Sequence, residues 1–72
     1  MSALAAIALD EDADAWARIR VYARWLEIDR ADLDDSADCW RVLVSHGVPA
    51  GVARKFAADA ARQARANLGL EP

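Results

Sequence analysis

The chain has 72 residues, of which 56% are apolar and 29% charged, with a formal net charge of −3; that size makes one domain (residues 1–72), and that composition excludes a disordered chain. Its one cysteine excludes an internal disulfide and points to a reducing, cytoplasmic setting. No run of about 18 apolar residues occurs, so no membrane span is expected.

A chain this short buries only about 60% of its unfolded surface, so it sits near the lower limit for folding alone. Its charge is bipolar. Through Asp38 there are ten acids against four bases; beyond it there are two acids against five bases. Strand-like alternation and hairpin turn signals are absent, and the reading is all-α.

Met1–Leu9 is apolar but short and lacks a positive start, so it does not read as a signal peptide. Ser2 is placed to cap a short helix over Ala3–Leu9, with Leu4, Ile7 and Ala8 on one side. The acids Asp10, Glu11, Asp12 and Asp14 then crowd a helix N-terminus, where the backbone dipole is positive. Asp10 or Asp12 is the expected cap of a helix over Ala13–Ile28. One face of that helix carries Trp16, Ile19, Tyr22, Ala23 and Leu26. A second apolar stripe, Val21, Trp25 and Ile28, lies apart from it, with Arg20, Arg24 and Glu27 in the gap on one side and Arg18 on the other. Either another segment covers this stripe or it is a contact surface, since tryptophans often anchor interfaces.

Asp29–Asp38 is an acid-rich connection. Ser36 or a neighbouring aspartate should cap a helix over Ala37–His46, ended by Gly47, with Trp40, Leu43 and Val44 facing inward and Val42 and Cys39 to one side. Pro49 fits a first helical position and Gly69 the position after a last one. Between them Val52, Ala53, Phe56, Ala57, Ala60, Ala64 and Leu68 share a face. Arg54, Lys55, Arg62 and Arg65 share the opposite arc, with Ala58 and Ala61 as its small residues.

Two aspartate series, Asp10–Asp14 and Asp32–Ser36, alternate as a calcium loop would. Such a loop needs Gly at its sixth position and Glu at its twelfth. These chains of residues offer Ala15 and Val21, or Ala37 and Leu43, and both fail. One Cys and one His do not make a zinc set. Ser36, Ser45, Cys39 and His46 point in different directions from one short helix, so no nucleophile–base pair is expected. Cys39 reads as a small buried residue and His46 as a helix-end residue. No metal, cofactor or catalytic residue is expected, and no enzyme.

Trp40–His46, a Gly47–Val48 turn and the helix after it have the outline of a helix-turn-helix. Against that reading, Val48 to Val52 is one residue too short. The positions that would read bases, Pro49–Ala53, are small and apolar.

The sequence therefore points to a compact three-helix bundle, with a short N-terminal helix as an optional fourth. Its expected core is Trp16, Ile19, Leu26, Trp40, Leu43, Val52 and Phe56. The expected function is a small interaction protein that inhibits or regulates another macromolecule, a basic nucleic-acid-binding protein, as many small phage and mobile-element products do. Its expected contact residues are Asp29, Asp32, Asp34, Asp35 and Asp38, with Val21, Trp25 and Ile28. The alternative is a dimeric helix-turn-helix regulator that meets DNA through Arg54, Lys55, Arg62 and Arg65 and pairs through the Trp25 stripe.

Overall fold

The computed structural model describes residues 3–70, with side chains from residue 5 onward. Four helices form: α1 (Ala3–Ala8), α2 (Ala15–Ile28), α3 (Ser36–Ser45) and α4 (Ala50–Asn67). The expected all-α bundle is present, and the optional N-terminal helix is part of it. The expected Ser2 cap lies outside the described residues.

Each longer helix starts and stops for a local reason. Asp10 spends its side chain on the amide of Asp12, and Asp14, further along, accepts from the Ala17 amide to cap α2. The cap is therefore neither Asp10 nor Asp12, and α2 begins two residues later than expected. Asp35 caps α3 by accepting from the amides of Ala37 and Asp38. Pro49 stands one position before α4 rather than in its first turn. At the other ends, α2, α3 and α4 close alike. The amides of Ala31, Val48 and Leu70 reach back to the carbonyls of Leu26, Leu43 and Arg65, the wider of the two bonds of a Schellman ending. The left-handed residue this requires is Gly47 (φ 96°) after α3 and Gly69 (φ 74°) after α4, but Arg30 (φ 54°) after α2.

α2 packs most extensively on α4, α3 lies across α4, and α1 rests on α2. Arg18 stands over the Phe56 ring and Glu27 is bonded to Asn67, so α2 and α4 run in the same direction. Ala53, Phe56, Ala57, Ala60, Ala61 and Ala64 are buried along α4. Alanines here let both neighbours approach closely, and Phe56 supplies the bulk. Tyr22, Leu26, Leu43, Val48 and Cys39 are the largest fully buried side chains. Tyr22 lies 5.8 Å from Phe56 and 6.1 Å from Trp25, ring centre to ring centre. Its hydroxyl donates to the Ala8 carbonyl at 2.7 Å and ties α1 to the bundle.

Three expected placements need correction. Trp16 is 54% exposed, because the cap at Asp14 leaves it in the first turn, outside the stretch of α2 that begins to meet α4 at Arg18. Leu68, placed on the inner face of the last helix, is 52% exposed, because the helix ends at Asn67. Ala61, placed in the basic arc, is buried, because α4 is covered by two helices and its buried surface is wider than one stripe.

Candidate functional site

The acidic connection between α2 and α3 is held by its own side chains. Asp32 Oδ1 accepts from the Asp34 amide at 3.0 Å, a local turn that aspartate favours. Asp38 Oδ2 accepts from the Asp32 amide at 2.7 Å, while its Oδ1 takes Nη2 of Arg41 at 2.6 Å. The Asp32 amide, then the Arg41 guanidinium, hold the Asp38 carboxyl below its usual range, and Asp38 in turn pushes Arg41 up. Asp35 is spent on the cap of α3. Asp34 pairs with Arg65, which also donates to the Leu33 carbonyl from the far end of α4. Asp29 lies 2.9 Å from Nε2 of His46. All five aspartates thus serve the fold, yet Asp34 keeps 90% of its side chain in solvent, and Asp29, Asp32 and Asp35 are also exposed.

The Trp25 stripe is not a surface. Val21 and Trp25 are 5% and 8% exposed. Trp25 stacks on the His46 ring with centroids 4.5 Å apart and planes 7° from parallel, so the end of α3 covers it. Val21 stands at the base of a groove that also includes Ile7 of α1. Only Ile28, 61% exposed, remains available. The expected contact stripe is therefore mostly enclosed: Val21 and Trp25 are buried and Ile28 is exposed.

The basic arc of α4 is only partly free. Arg54, Lys55 and Arg62 are exposed; Lys55 sits 5.4 Å from the Phe56 ring centre. Arg65 is drawn back to Asp34 and Leu33, so it is not part of a continuous stripe. Arg54 lines a shallow groove of about 380 Å³ with Ser36, Ala37, Trp40, Ala57 and Ala58. Trp40 is fixed there by its indole N–H, which donates to the Ala50 carbonyl at 3.1 Å.

The α3–turn–α4 unit removes one objection to the helix-turn-helix outline. The side chains buried beyond Val48 are Ala53 and Phe56, while Val52 is only half-buried. The relevant spacing is therefore one residue longer than Val48 to Val52. The other objection stands: Ala50 and Gly51, exposed at the start of α4, carry no side-chain hydrogen-bonding group.

Cys39 is fully buried, and its thiol points at the Asp32 carbonyl, 3.4 Å away. Burial first, then the neighbouring Asp38 charge, push its pKa up, the reverse of what an activated thiol needs. Among the described residues no three His, Cys, Asp or Glu side chains are grouped to hold a metal, and no helix is long and apolar enough to cross a membrane.

A second cationic feature lies on α2. Arg20 and Arg24, one turn apart, line an open groove against Gln63 and Asn67 of α4. The sequence shows both arginines in the gap between the apolar stripes of α2. Their spacing was the available signal, but nothing local shows that α4 forms the facing wall.

Comparison with protein-family models, with curated proteins and with solved structures yields no match.

Proposed function

We propose that this chain is a small non-enzymatic interaction protein that binds a basic protein surface through Asp29–Asp38 and so inhibits or regulates its partner. The observation that carries this reading is the exposure of Asp34 and Asp35 on a connection tied down by Asp32, Asp38 and Arg65. A charged array already held in one shape loses less freedom on binding than a flexible tail, and charge complementarity speeds encounter and selects the partner. Ile28, exposed at the end of α2 beside Asp29, offers an apolar contact at the edge of the array.

The helix-turn-helix reading is kept as second because Val48, Ala53 and Phe56 are all buried at the turn and the start of α4. Charge weighs against it. Arg54 shares its groove with Ser36, which follows the exposed acids Asp34 and Asp35 in the chain. DNA carries one negative charge about every 1.7 Å of axis, so those aspartates would repel it.

The test is a pair of titrations at low salt, one with a labelled lysine-rich peptide and one with a short labelled duplex. The peptide should bind and should weaken as salt rises. Replacing Asp32, Asp34 and Asp35 together by Asn, which keeps turns and caps, should weaken it roughly tenfold. Salt-sensitive duplex binding that is lost on Arg54→Glu and Lys55→Glu would instead establish the second reading.

A further inference from the structure

Between α2 and α4, beside α1, runs an open groove of about 650 Å³, within the usual size of ligand pockets. We propose that it binds a small organic oxyanion, one carboxylate or phosphate head on an apolar body. The site is separate from the acidic connection and does not rest on the function proposed above.

The head group is argued from Arg20 and Arg24. They stand four residues apart, so their side chains leave the same face of α2 one turn apart, and like charges at that spacing repel. Neither makes an ion pair or a hydrogen bond among the described residues. One carboxylate, Glu27, also lines the groove; it pairs with neither arginine, and its Oε2 accepts from Asn67 at 3.0 Å. The Asn67 carbonyl oxygen in turn accepts from Gln63 Nε2 at 2.8 Å. This chain of hydrogen bonds crosses from α2 to α4 along the groove and gives Glu27 a partner other than the two cations. The groove thus holds two guanidinium forks against one acid, neither fork in a direct ion pair, and such forks match the oxygens of a carboxylate or a phosphate.

The apolar body is argued from the floor. Ala17 and Val21 lie between and beside the arginines on α2, and Ile7 closes the groove from α1. Ile7 is 38% exposed although α1 is docked on the bundle. A ring or short alkyl group lying on Ile7, Ala17 and Val21 would cover that surface while its head meets Arg20 and Arg24. An inorganic ion would use only half of the site.

The experiment is an NMR titration of the full chain that follows the arginine Nε–Hε and glutamine side-chain signals. The probes are phenyl phosphate, benzoate, inorganic phosphate and benzyl alcohol. Phenyl phosphate and benzoate should give saturable shifts at Arg20, Arg24 and Gln63, and inorganic phosphate should bind roughly tenfold more weakly. Benzyl alcohol should leave the arginine signals in place. Arg20→Gln and Arg24→Gln preserve helix propensity and should each weaken phenyl phosphate binding roughly tenfold. Equal, non-saturating shifts at Arg20, Arg24, Arg54 and Arg62 would overturn the proposal, as would unchanged binding in both glutamine variants. Inorganic phosphate binding as tightly as phenyl phosphate would overturn the role given to the floor.

Discussion

Asp38 ties the turn at Asp32 to α3 through its side chain. Its carboxylate takes the Asp32 amide on one oxygen and Arg41 on the other. Both favour the ionised form, so its folded pKa lies below that of a free aspartate. The sign follows directly. A depressed carboxyl binds its proton less readily when folded, so it stabilises the fold above about pH 4. That stability is lost as pH falls through the lower, folded value. Urea midpoints measured from neutral to strongly acid pH should fall in that window, and Asp38→Asn should flatten that part of the profile. A variant whose acid limb matched the original would show that other carboxylates control it. At the same scale the sequence was only partly readable. It marked the aspartates of Asp29–Asp38 as more numerous than one cap needs. It could not show Asp34 meeting Arg65, thirty-one residues away along the chain.

Three helices end in the same hydrogen-bonded turn, and one of them uses an unsuitable residue for it. Gly47 and Gly69 take the left-handed conformation without steric cost, but Arg30 does so with a side chain. A residue other than glycine pays roughly 1 kcal/mol there. The Arg30 side chain makes no ion pair among the described residues, so little should be lost with it. Arg30→Gly is therefore expected to raise stability by about 1 kcal/mol in urea unfolding. A drop in stability would mean that the arginine stem covers more apolar surface at the end of α2 than its exposure suggests. Helix ends marked by glycine were legible in the sequence. The start of α2 was harder, because Asp10, Asp12 and Asp14 are all competent caps, and Asp14 is the one that meets the Ala17 amide.

At the scale of the molecule, α1 is the element with the fewest ties. It is short, and isolated helices of that length are not stable in water. Its attachment rests on Ala8 at the core and on the buried hydrogen bond from Tyr22. Tyr22→Phe keeps the ring and strands the Ala8 carbonyl, at an expected cost of about 1–2 kcal/mol. Amide exchange in α1 should accelerate more than exchange in α4. Uniform acceleration across all helices would show instead that α1 opens only with the whole bundle.

The sequence by itself determined what depends on neighbours within a few residues. Helix content, the breaks near Gly47 and Gly69, and the aspartate cap of α3 are set by backbone conformation and hydrogen bonds one turn away. Tertiary structure decided which faces are covered, because that depends on how helices of unequal length cross. It left Trp16 in solvent beyond the reach of α4, buried Trp25 against His46, and enclosed Ala61 between two helices. It also drew Arg65 out of the basic arc and left Arg20 and Arg24 in no ion pair among the described residues, since an ion pair forms only where the two side chains come within reach.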